Sequence, residues 1–327
     1  MVRFLGNRLI SAALIMFLAS VLIFVLVASS GDPLFELRER QPPVPESAIQ
    51  AEEARLGLDQ NLLQRYLGWI GGIFTGDFGP SVIITRDIGA ELATRIGVTL
   101  RLVVVAIAIA FILAFIIGTV SALYRRRLPD FVLTPVTFLF LAMPSFWLAV
   151  LLKHWAVATN EATGYKIFAT VGANSVPPPQ GFFAIVADTA AHLVLPTIVL
   201  ALMHVAVWNR YQRTAVTESL SSDHLRFGVL KGLSRRRLVR HYAVRPALVP
   251  IVTIVALDLP LLLSGAIVTE TVFQWRGMGD FLLESIQLRD VNAVLAWLLI
   301  AAGAVIIFNL IADLLYAVID PRVRYDR

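Results

Sequence analysis

The run VTLRLVVVAIAIAFILAFIIGTVSAL, residues 98–123, carries one charged side chain, Arg101, and is otherwise apolar or weakly polar. A helix needs about 20 such residues to cross the hydrocarbon of a bilayer, so this stretch reads as a complete membrane span. Five further runs read the same way: 9–28, 131–152, 192–208, 250–269 and 291–319. The first exceeds the roughly 7–15 apolar residues of a secretory h-region and no clear small-residue cleavage pair follows, so it is expected to stay as an anchor. Pro196 falls inside the fourth, where neighbouring helices can re-satisfy the backbone groups a proline frees. The expected fold is therefore an all-α integral membrane protein of six transmembrane helices. Composition agrees: 57% of residues are hydrophobic, 16% are charged and the mean hydropathy is +0.75, outside the range of soluble domains. The chain has no cysteine, which excludes disulfides, iron–sulfur clusters and thiolate zinc sites.

The formal charge of +5 points to orientation rather than to nucleic acid, because short cytoplasmic loops collect Lys and Arg. Arg3 and Arg8, the triplet Arg125-Arg126-Arg127, a dense set between Arg210 and Arg245, and Arg322, Arg324 and Arg327 all fall on one side; the two shorter loops opposite hold only Lys166, Arg276 and Arg289. Both termini are thus expected in the cytoplasm. The organisation follows: an N-terminal segment with the first span (1–30), an extracytoplasmic segment with short helices (31–97), and a core of five spans (98–327) that includes a cytoplasmic loop at 210–249.

In the extracytoplasmic segment, Pro45 and Glu46 suit the first turn of a short helix reaching Leu56. Ile88, Leu92 and Ile96 recur every four residues beside Arg86, Asp87, Glu91 and Arg95, an amphipathic pattern that fits either the membrane surface or a helix packed on its own protein. Arg101 and Lys153 lie near the outer ends of spans two and three, where long basic side chains reach for headgroups. Asp258 lies about 12 Å into span five, at eight residues of about 1.5 Å rise, where a carboxylate needs partners or water. It either lines a pore and meets a cationic group on a cargo or forms a structural pair. Asn309 and Asp313 read as interhelical hydrogen-bonding groups. The histidines show no metal-ligand spacing, and the chain has neither a phosphate-cradling GxxxxGK[ST] loop nor a GxSxG elbow, so no metal, nucleotide hydrolysis or acyl transfer is assigned to it.

The loop at 210–249 is unusually long for a chain whose other cytoplasmic link is so short, and long ordered loops are usually functional. Ser222 can cap a helix that opens with Asp223 at the positive end of its dipole and closes with Lys231 and Gly232. Ser234 can cap a second helix, 235–248, that rises toward Pro250. A short helix on a rigid base suits a groove in another protein.

The sequence DHLRFGVLKGLS (223–234), with LVP at 248–250, resembles the EAA loop of ABC importer permeases in their dipeptide/oligopeptide form. The resemblance runs over nearly the whole chain: GDP (31–33), YLGW (66–69), GDFG (76–79), PSFWL (144–148), HLVLP (192–196), TETVF (269–273), GMG (277–279), DLLYA (313–317) and DPR (320–322) are similar to the family's motifs in order and spacing. It implies a type I ABC importer permease fold and a multi-pass protein of the cell (inner/plasma) membrane. The implied partners are a second permease subunit, two ABC ATPase subunits that bind ATP and Mg, an extracytoplasmic solute-binding protein delivering peptide, and the lipid bilayer, with no nucleic acid. No cofactor is expected in this chain. The coupling residues carried over are Asp223, Leu225, Arg226, Phe227, Gly228, Val229, Leu230, Lys231 and Gly232. The chain departs from the family where Phe227-Gly228-Val229-Leu230 replace a common Thr-Ala-Arg-Ala, so the docking face is more apolar and the helix weaker at Gly228. Asp258 stands where Gln is common and Pro260 where Gly is common. Alternatives are an ion-gradient-driven secondary carrier, against which the lack of an inverted repeat counts, or an importer of nickel chelates or another small polar solute.

Overall fold

The computed structural model describes residues 2–263 and 266–319, and among these the secondary structure is entirely helical. In chain order the helices are α1 (Val2–Ala28), α2 (Phe35–Arg38), α3 (Glu46–Arg55), α4 (Leu62–Ile73), α5 (Ile88–Leu123), α6 (Leu128–Ala142), α7 (Ser145–Thr163), α8 (Phe182–Ser221), α9 (Asp223–Leu230), α10 (Arg235–Arg237), a π-helical stretch Leu238–Val244, α11 (Arg245–Leu263), α12 (Ile267–Phe273), α13 (Met278–Gln287) and α14 (Val291–Ile319). Among the described residues five stretches are long and apolar enough to cross a membrane, six if the bent pair α6–α7 is one span.

That pair corrects the expectation of one straight third span. Met143 precedes Pro144, whose ring disfavours helical backbone in its neighbour; Met143 turns extended (φ −81°, ψ 131°), α6 ends, and α7 leaves at a bend of 103°. Pro196, by contrast, lies buried within a continuous α8. The expected span 250–269 begins earlier, with α11 at Arg245, and is described as helix to Leu263; Ile267–Phe273 forms a short helix of its own.

The chain divides into two compact units. The first comprises Met1–Thr99 and Arg276–Ile306. Here α4, opened by Asn61 whose Oδ1 accepts from the Gln64 N–H (2.9 Å), lays Tyr66 and Trp69 against Phe24 of α1 and Leu295 of α14. Helix α3 starts at Glu46 with Pro45 as its N-cap and buries Ile49 against Leu34 and Leu56. The amphipathic stretch of Ile88, Leu92 and Ile96 is no separate surface helix: it forms the first turns of α5, with Ile88 and Leu92 buried against Met278, Phe281, Ala293 and Trp297. Its arginines are paired too. Arg86 meets Glu91 and Glu284 (2.8 Å each), and Arg95 meets Glu91 (2.7 Å) and Asp280 (2.9 Å).

The second unit comprises Leu100–Trp275 and Ile307–Arg327. Its centre is α8, which buries Leu195 and Val199 against Leu148 and Ala149 of α7 and Phe273 of α12, and Val205 and Trp208 against Ala110 and Ala114 of α5 and Ile251 of α11. Lipid tails are as apolar as leucine, so such helices hold together by close contact rather than by escape from water, and small residues permit it. Gly118 is the clearest case: a Cβ there would stand 2.6 Å from the Asn209 carbonyl oxygen of α8.

Candidate functional site

The functional reading rests on α9, so its construction matters. Helix α8 stops at Ser222, whose backbone turns extended (φ −74°, ψ 153°), and α9 begins at the next residue. Ser222 occupies the capping position, yet its hydroxyl does not cap α9. It donates instead to the Ser219 carbonyl behind it and lies 3.1 Å from His224 Nε2. The exit is as expected: Gly232 adopts φ +74°, its N–H donates to the Val229 carbonyl (2.9 Å), and the Leu233 N–H donates to the Gly228 carbonyl (3.2 Å), the paired bonds of a Schellman closure.

Two contacts seat α9 on the chain that follows it. Gly228 is buried, and a Cβ there would fall 2.5 Å from Leu238 Cδ2. The glycine that weakens the helix by propensity is therefore the point where the helix approaches its base. His224 Nε2 lies 3.1 Å from the Tyr242 carbonyl; a carbonyl only accepts, so Nε2 carries the proton. The expected second helix, 235–248, is not a helix apart. After α10 it passes through the π-helical stretch that holds Leu238 and Tyr242 and runs on into α11, so that 235–259 counts as one long apolar helix. The Ser234 side chain, like that of Ser222, makes no cap bond.

The opposite side of α9 is open. Phe227 is 61% exposed, Val229 56% and Leu230 82%, while Leu225 is half-buried. Asp223 and Arg226 are exposed and 3.5 Å apart, a pair worth at most a few tenths of a kcal/mol. Lys231, Gly232 and Arg235–Arg237 are exposed beside them. The structure thus brings the nine candidate residues together as one short apolar knob with a basic margin.

Behind the knob, α8 is locked in place by an ion pair that sequence reading missed. Arg213 donates through Nε and NH2 to Asp130 at 3.0 Å each, and Asp130 also accepts from the Arg126 N–H (3.0 Å) and the Thr134 hydroxyl (3.0 Å). An acid just after Pro129 near a helix start, opposite an arginine on a long apolar helix, was the available signal. Asp258 accepts a 2.7 Å hydrogen bond from Trp208 Nε1, joining α11 to α8, and stays half-buried. Lys153 turns inward rather than toward headgroups and donates to the Val272 carbonyl (2.6 Å). The Arg101 guanidinium lies 5.7 Å over the Trp275 ring. Asn309 is exposed; the side chain of Asp313 and all of 320–327 lie outside the description. Among the described residues no group of three His, Asp or Glu could hold a metal ion.

Comparison with known proteins bears on the same residues. Residues 114–325 match the family described as binding-protein-dependent transport system inner membrane component, and residues 1–83 match its N-terminal companion. The chain is 37% identical to the oligopeptide transport system permease protein OppB of Mycobacterium tuberculosis over 324 residues, covering 99% of both chains. It is 33% identical to the dipeptide transport system permease protein DppB of Escherichia coli over 316 residues, covering 91% of both. The MetNI methionine ABC transporter, solved in inward-facing conformations, contains a chain with the same fold: TM-score 0.53 at 15% identity, covering 70% of this chain and 96% of that one.

Proposed function

Because the chain belongs to the family of binding-protein-dependent transport system inner membrane components, we propose that it is the permease subunit of an ATP-driven importer of peptides. It forms half of a translocation pathway with a second permease subunit. Two ATPase subunits bind and hydrolyse ATP with Mg, and an extracytoplasmic binding protein delivers the peptide. This chain contributes a path and a mechanical link and carries no nucleotide site of its own. Peptide cargo rests on the relatives named above, whose descriptions read oligopeptide and dipeptide. The single observation that carries the coupling role is the exposed Phe227, Val229 and Leu230 on a helix seated by its buried Gly228.

Mechanistically, α9 is tied to two long helices at once. It follows α8 through Ser222, and it rests on Leu238 and Tyr242, which lead into α11. When the ATPases close on ATP, the docked α9 moves with them and shifts α8 and α11 as a pair, held together by the Trp208–Asp258 bond. On this reading Asp258 positions the two helices at the pathway. Both termini are cytoplasmic, which puts α9 on the same side as ATP.

The test is uptake in reconstituted vesicles, with the phosphate-binding lysine of the ATPases replaced in one arm and the ion gradients collapsed in another. Uptake should stop in the first arm and continue in the second. Uptake that survives without ATP hydrolysis but stops without a gradient would make the chain a secondary carrier.

A further inference from the structure

Arg101 is the one charged residue of 98–123, and its surroundings do not satisfy it. Its Nε and NH2 atoms are buried and have no hydrogen-bond partner among the described residues. Among the described residues the guanidinium lies over the ring of Trp275, which is fully buried. From α7, Lys153 reaches the same segment and donates to the Val272 carbonyl. Two cations from two spans therefore converge on residues 272–275. Among the described residues the Arg and Lys ion pairs of this unit join Asp130 to Arg213 and Asp223 to Arg226; neither Arg101 nor Lys153 takes part in one.

An intramembrane cation with unmet donors is expensive, and contact with an aromatic face recovers only about 0.5–2 kcal/mol of that. Such a residue is kept where an anion completes it. A guanidinium offering Nε and NH2 side by side presents the fork that fits both oxygens of a carboxylate. Trp275 is wholly buried and Arg101 half-buried, so the guanidinium packs on protein rather than lipid, and an anion reaches its enclosed Nε and NH2 when the span moves in the transport cycle. We propose that Arg101, with Lys153 reaching the same 272–275 segment from α7, binds the C-terminal carboxylate of the transported peptide. The proposal rests on the peptide-importer reading above and adds to it a chemical feature of the cargo that the membrane subunit itself reads.

The experiment uses the full complex in liposomes with its binding protein. It compares a peptide with the same peptide carrying a C-terminal amide, each at a concentration that saturates the binding protein as measured separately. The unmodified chain should move the free acid about tenfold faster than the amide, and Arg101→Gln should bring the acid rate down to that of the amide, with Arg101→Lys in between. Should Arg101→Gln fail to insert, Lys153→Met offers the same comparison and should narrow the acid-to-amide ratio. A ratio unchanged in both variants would overturn the site, as would equal rates in the unmodified chain. So would an acid-to-amide ratio set by the anionic lipid content of the vesicles, which would make the bound anion a lipid headgroup. Absence of ATP-dependent uptake of either peptide would instead overturn the importer reading and the site with it.

Discussion

Two short amphipathic stretches look alike in the sequence and end differently in the structure. Residues 88–96 and α9 both set apolar residues among charges. In the first, Ile88 and Leu92 are 2% and 1% exposed, packed on Phe281 and Trp297, and the flanking arginines are bound to acids. In the second, Phe227 and Leu230 face outward and the charges are loose. The first has found its partner inside the chain; the second presents apolar residues that nothing among the described residues covers. The lesson is that periodicity announces an apolar face, and burial decides whose partner it is.

The comparison is sharpest when both faces are broken in the same way. Leu92→Asp puts an unpaired charge into the first core and is expected to destabilise the protein by about 3–5 kcal/mol or to prevent insertion, read by membrane yield and thermal unfolding in detergent. Leu230→Asp is expected to leave yield and unfolding within about 0.5 kcal/mol of the unmodified chain while lowering ATP-driven uptake at least tenfold. Equal loss of stability in the two variants would erase the distinction. Gly228→Val tests the seat rather than the face: the branched side chain meets Leu238 and should cost about 1–3 kcal/mol locally and loosen coupling, read as ATP hydrolysed per peptide moved. The smallest effect belongs to Asp223→Asn, which removes one member of an exposed pair and should change uptake less than twofold.

Much of this was legible beforehand because apolar length and turn chemistry are local. The runs at 9–28, 98–123, 192–208 and 291–319 each fall within a helix, and Gly232 closes α9 with the positive φ that its residue type allows. What escaped was set by contacts across the fold. Whether Ser222 caps depends on where Ser219 and His224 lie, and whether Gly228 weakens or seats the helix depends on Leu238. Arg213 pairs with Asp130 across 83 residues, a partnership no local pattern contains. Pro144 did carry its signal, since the residue before a proline resists helix; a hydropathy run that counts apolar residues without regard to backbone passes straight over it.

The central claim is that the open face of α9 is the contact with the ATPase subunits. The most direct measurement is binding of purified ATPase subunits to the reconstituted permease carrying Phe227→Asp and Leu230→Asp together. The account predicts normal insertion and unfolding with affinity lowered at least tenfold. Unchanged affinity in a correctly inserted double variant would contradict it and move the contact to another surface.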